Sequence, residues 1–83
     1  MKIDANTSLE TLFKVAKDTL QDVEPDQTFI VRDLFRGFEW NRIAKGNRTK
    51  LGAMFLNFAE NEGHKLIKSG SKTPQNQQRY TKL

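Results

Sequence analysis

At 83 residues, with 36% hydrophobic and 29% charged side chains, the chain has enough apolar material for one core and too little length for two. It has no cysteine and a single histidine, which excludes a disulfide framework, a thiolate metal site and a histidine-based zinc site. The net charge of +4 is unevenly placed: residues 1–26 carry 3 Lys and 6 Asp/Glu, whereas residues 27–83 carry 11 Lys/Arg and 4 Asp/Glu, so a basic body follows an acidic opening and points to an anionic partner.

Thr7-x-x-Glu10 is a capping-box pattern. Behind it Leu9, Leu12, Phe13, Ala16, Leu20 and Val23 recur at helical spacing, which predicts an amphipathic helix over about 7–24, closed by Pro25. Thr28 to Val31 is short, β-branched and aromatic, and predicts a strand. Arg32 to Arg36 predicts one to two helical turns stopped by Gly37, with Arg32 and Arg36 on one face. Phe38 to Ile43 predicts a turn or short helix in which Trp40 and Phe38 plug the core. Lys45-Gly46-Asn47 reads as a turn whose Asn47 caps a second long helix, about 48–62, stopped by Gly63. Leu51, Met54, Phe55, Phe58 and Ala59 mark its buried side, and Gly52 inside it implies a close helix contact. Residues 65–68 and 77–81 predict a β-hairpin, with Ser69 to Asn76 as a loop punctuated by Gly70 and Pro74.

This order predicts an α+β fold and one domain over residues 1–83. The arrangement is a winged helix-turn-helix: three helices, a small antiparallel sheet and a C-terminal β-hairpin wing. The first short strand pairs with the hairpin, because a two-stranded hairpin alone is marginal. A three-helix bundle with a basic tail is the competing fold. No apolar run is long enough for a membrane span or a signal peptide, so a cytoplasmic location without membrane contact is expected.

Three pieces carry a family likeness: Phe29-Ile30-Val31-Arg32-Asp33-Leu34-Phe35, Glu39-Trp40-Asn41-Arg42-Ile43, and Arg48-x-x-Leu51-Gly52-x-x-Phe55. Together with Asn76 to Tyr80 they resemble a domain-of-unknown-function family from Gram-positive mobile elements and phages, over roughly residues 27–81. The resemblance implies a winged-helix protein that binds single-stranded DNA in the replication of a mobile element, and duplex DNA or RNA more weakly. It assigns no particular binding residue, since its motif positions are largely apolar.

The residues themselves place the chemistry. The outward side of the long helix, with Thr49, Ala53, Leu56, Asn57 and Glu60, offers almost none of the Arg, Lys, Asn or Gln that reads duplex base edges. Positive charge gathers instead ahead of that helix and in the hairpin. Arg42, Lys45, Arg48, Lys50, Lys68, Lys72 and Arg79 are the expected backbone contacts, and Tyr80 is either a base-stacking surface or sheet packing. An enzyme is not expected: His64 has no nucleophile partner, the acids sit mainly in the first helix, and no Gly-rich phosphate loop is present, so no cofactor or metal is implied. Two rivals to single-strand binding stay open. One is a dimeric duplex-binding regulator, with Ala53 and Leu56 as a homodimer seam; the other is a protein-interaction adaptor using that face or the acidic first helix.

Overall fold

In the structure, a computed structural model that describes residues 3–83, the first amphipathic stretch folds as α1, Leu9–Thr19, and runs on as a 3-10 turn over Leu20–Asp22. Its cap is Ser8, not Thr7: Ser8 Oγ accepts from the Thr11 amide at 3.2 Å, while Thr7 Oγ1 accepts from the Asp4 amide at 2.9 Å. The helix buries Leu12 and Ala16 completely.

After a turn in which Asp26 adopts φ 72, the chain enters β1, Thr28–Phe29. The strand ends earlier than its β-branched sequence predicts. The Ile30 amide donates to the Asp33 carboxylate at 3.0 Å and the Asp33 amide returns a bond to the Ile30 carbonyl at 2.9 Å, which winds Val31–Leu34 into a 3-10 turn. Extended backbone at Phe35 and Arg36 then separates that turn from α2, Gly37–Arg42. Gly37 thus begins a helix instead of ending one, and Arg32 and Arg36 do not share a helical face. Arg36 lies 3.8 Å from Glu39.

Helix α3, Lys45–Glu60, starts directly after Ala44. Asn47 sits in its first turn, donating its amide to Ala44 O at 2.9 Å, and is not its cap. At the other end the Gly63 amide donates to Phe58 O at 2.7 Å. A Cβ on Gly63 would lie 2.5 Å from the Phe58 ring, so close approach is what requires glycine here.

The hairpin consists of β2, Ile67–Lys72, and β3, Gln78–Lys82, and the antiparallel sheet has the order β1-β3-β2. Residues expected in a long loop belong to β2, and the loop contracts to Thr73–Gln77. Asn76 (φ 65) donates to Thr73 O at 2.8 Å, with Pro74 second in the turn. Partners run Lys68↔Thr81 and Ser69↔Tyr80, then Lys72↔Gln78, so β2 contains one extra residue at Gly70–Ser71. Gln78 Nε2 donates to Gly70 O and Arg79 Nη1 to Ser71 Oγ, which fastens this bulge.

Three helices, with β1 between α1 and α2 and the hairpin after α3, form the winged helix-turn-helix arrangement of an α+β domain. Its core joins the helices to the sheet. Leu12, Leu51, Phe55 and Tyr80 are at 0% exposure, and the Tyr80 ring lies 5.0 Å from Phe55 and 5.8 Å from Phe29. Burying side chains of this size stabilises by roughly 1.5–3 kcal/mol each. No helix among the described residues is long and apolar enough to cross a membrane.

Candidate nucleic-acid interface

A groove of about 720 Å³ runs between α3 and the hairpin loop. Gly52, Ala53 and Leu56 of α3 line its floor. The 3-10 turn and α2 contribute one bank, with Arg32, Trp40 and Asn41; the wing contributes the other, with Lys72 and Gln75 to Gln78. Among the described residues, four cationic ones line it, Arg32, Lys45, Arg48 and Lys72, and no carboxylate does.

Lys45 is the first residue of α3. No side chain caps that helix and no acid lies in its first turn, so the positive end of the helix dipole is open beside the lysine. Arg48 is tied to the fold as well as to the groove. Its Nε donates to Ile43 O and its Nη2 to Asn41 O, both at 3.0 Å, and the guanidinium stands 5.8 Å from the Trp40 ring centre. One nitrogen, Nη1, remains for an external anion.

Lys72 owes its place to the bulge. Side chains alternate along a strand, so an unbroken β2 would put Lys72 on the same face as Lys68. The extra residue at Gly70–Ser71 pairs Lys72 with Gln78, which lines the groove, and turns Lys72 to that side. Lys68 pairs with Thr81, which lies with Arg79 on the sheet face opposite Gln78 and Tyr80.

The eight residues expected from the sequence therefore separate. Lys45, Arg48, Lys72 and Tyr80 line the groove, and Arg42, Lys50, Lys68 and Arg79 lie outside it. Arg42 stacks its guanidinium 5.2 Å from the Phe38 ring centre, and Arg79 is engaged with Ser71. Phe38 is not a core plug, being 56% exposed. Trp40 is half-buried and does both jobs, packing on Phe35 at 5.6 Å and lining the groove.

Tyr80 is sheet packing and not a stacking surface, because Phe29 and Phe55 enclose its ring. Its hydroxyl is buried without a hydrogen-bond partner. Burial, and secondly the charge of Glu60, push its pKa up to about 12.

On α3, Leu56 is half-buried and packed against the core as well as lining the groove. Asn57 faces a smaller hollow of about 210 Å³ beside Phe13 and Phe58. The close helix contact expected at Gly52 is absent: a Cβ there would meet nothing within 4 Å. Sequence reasoning gave no groove role to Arg32 or Gln75, which line it beside Asn76, Gln77 and Gln78. Gly70 inside an apparent strand was the available signal for the bulge. Among the described residues, no group of three or more His, Cys, Asp or Glu is placed to hold a metal ion.

No curated protein and no solved structure matches the chain significantly. A family profile does match, over residues 14–82, taking in most of α1 and everything through the wing. The chain thus belongs to the family described as Domain of unknown function (DUF1413).

Proposed function

We propose that this domain binds single-stranded DNA in the groove between α3 and the wing, through the phosphate backbone and with little sequence preference. Duplex DNA and RNA bind more weakly in this reading. The observation that carries it is the convergence of Arg32, Lys45, Arg48 and Lys72 on one groove that no carboxylate lines. Phosphates are also favoured beside Lys45 by the uncapped start of α3. A helix that reads duplex must stand proud enough to enter the major groove. Here the outward side of α3 is a floor with the wing as one bank, and Thr49, Gly52, Ala53 and Leu56 offer no amide or cation to a base edge. The resemblance of residues 27–81 to a domain-of-unknown-function family from Gram-positive mobile elements and phages, which implies single-strand binding, suggests replication of such an element as the setting.

Trp40 is the chain's one tryptophan and lines the groove, so its fluorescence reports occupancy directly. In titrations with oligo(dT), four phosphate contacts at about −0.7 each give a log–log salt slope of about −3. Lys45→Glu combined with Lys72→Glu is expected to weaken binding to all sequences alike and to flatten the slope to about −1.5. A slope near zero, or a duplex of equal length bound as tightly as the single strand, refutes the proposal.

A further inference from the structure

Among the described residues Phe38 is the one aromatic ring that is exposed, at 56%, and it takes no part in the packing of the core. The other rings are engaged with one another: Phe13 with Phe58, Phe29 with Phe55 and Tyr80, and Phe35 with Trp40. Trp40 lines the groove, yet it has Phe35 at 5.6 Å and the Arg48 guanidinium at 5.8 Å. A second observation concerns charge. The Arg42 guanidinium stands 5.2 Å from the Phe38 ring centre, and the ion pairs among the described residues, Lys14–Asp18 and Arg36–Glu39, do not include it. A flat ring beside an unneutralised guanidinium is the combination on which the bases of single strands stack. The third observation is position. Helical residues step about 100° round the axis, so from Phe38 the side chain of Asn41 lies about 60° to one side and Trp40 about 160° the same way. Asn41 and Trp40 both line the groove. Around a helix about 10–12 Å across, that 60° is about 5–6 Å of surface. Glu39 lies on the opposite side of Phe38 and is paired with Arg36 at 3.8 Å, so no acid intervenes on the way from the groove to the ring.

We infer that Phe38 is a stacking surface for an unpaired nucleobase, belonging to a strand that leaves the groove over Asn41. This rests on the single-strand reading above and extends it onto the outer side of α2 by one base contact, where that reading concerned phosphates. Every base has a π-face, so stacking on Phe38 adds affinity with little sequence preference. A duplex keeps its bases stacked on one another and offers none to the ring, so this contact favours a single strand over a duplex.

The experiment measures the binding of labelled oligo(dT), and of an abasic strand of equal length, by fluorescence anisotropy for wild type, Phe38→Ala and Phe38→Trp. Phe38→Ala is expected to weaken oligo(dT) binding about tenfold. Its affinity for the abasic strand and its salt slope on oligo(dT) should match wild type, because a stacked base carries no phosphate charge. Phe38→Trp keeps a flat surface and should bind oligo(dT) at least as tightly as wild type. Because the ring is exposed, Tm in Phe38→Ala should stay within about 4 °C of wild type. Unchanged oligo(dT) affinity in Phe38→Ala overturns the inference while the phosphate groove stands. So does an equal loss on both strands, or a larger fall in Tm, which would make the ring part of the fold. A wild-type dimer in sedimentation that Phe38→Ala turns into monomer also overturns it, since the ring would then join two copies. Wild-type protein that binds neither strand overturns the single-strand reading and the stacking contact together.

Discussion

Arg48→Met tests whether the turn between α2 and α3 is held by a guanidinium. The wild-type side chain gives two hydrogen bonds at 3.0 Å, to Ile43 O and Asn41 O, and stacks 5.8 Å from the Trp40 ring centre. Because the group is partly exposed, each bond is worth about 1 kcal/mol, the low end for a charged donor. The stacking adds about 0.5 kcal/mol. Methionine keeps the aliphatic stem and loses about 2–3 kcal/mol. In a domain of this size that lowers Tm by about 10–20 °C, read by circular dichroism and confirmed by urea midpoints. Arg48→Lys separates charge from geometry. It restores the cation but not the planar fork, so its Tm stays nearer the methionine variant and its oligonucleotide affinity nearer wild type. A methionine variant within about 2 °C of wild type refutes the reasoning, since the carbonyl bonds would then contribute nothing.

Two further outcomes follow from single contacts. The Tyr80 pKa of about 12 in the fold, against the ordinary 10.0, means that its contribution is whole below pH 10 and is lost as pH rises from 10 to 12, because the unfolded chain releases the phenol proton first. After discounting for solvent screening the loss is about 1–2 kcal/mol. Urea midpoints should fall across that window in wild type and fall less in Tyr80→Phe; equal losses in the two would clear the phenol. Gly63→Ala puts a Cβ 2.5 Å from Phe58 Cε2 and should destabilise by about 1–3 kcal/mol, lowering Tm by about 5–15 °C. An unchanged Tm would show that the Phe58 ring moves aside freely.

The order of elements was legible because it rests on periodicity. The apolar stripe Leu12, Ala16, Leu20 and the row Leu51, Phe55, Ala59 both fall at helical spacing and are both buried. Boundaries failed where a neighbouring side chain made the deciding bond. Ser8 displaced Thr7 as the cap, and the Asp33 carboxylate took the Ile30 amide and ended the strand. The candidate groove was legible only as a gathering of basic residues ahead of α3 and in the wing, four of which the sequence placed there and the fold keeps outside it. Which cations share a side was not, because a register shift of one residue decides it. Alternation couples Lys68 with Lys72, and only the bulge at Gly70–Ser71 parts them. Tyr80 and Arg79 posed a similar question: adjacent strand residues face opposite ways, and the sequence does not say which turns inward.

In the proposed reading, stability and binding meet in the groove at Arg48, and elsewhere along it stability is given up. At Arg48 they run together, because the guanidinium that orders the α2–α3 turn also lines the groove with Nη1 to spare. An anion held there favours the folded arrangement by mass action. At Gly52 and Tyr80 the free domain gives up stability, since a methyl group in open space and the removal of an orphaned hydroxyl would each stabilise or spare it. A small domain has little stability to give away. Selection for thermal stability alone should therefore replace Gly52 and Tyr80 early and leave Arg48 untouched. Libraries that lose Arg48 under such selection would mean that the turn is held by something other than this clamp.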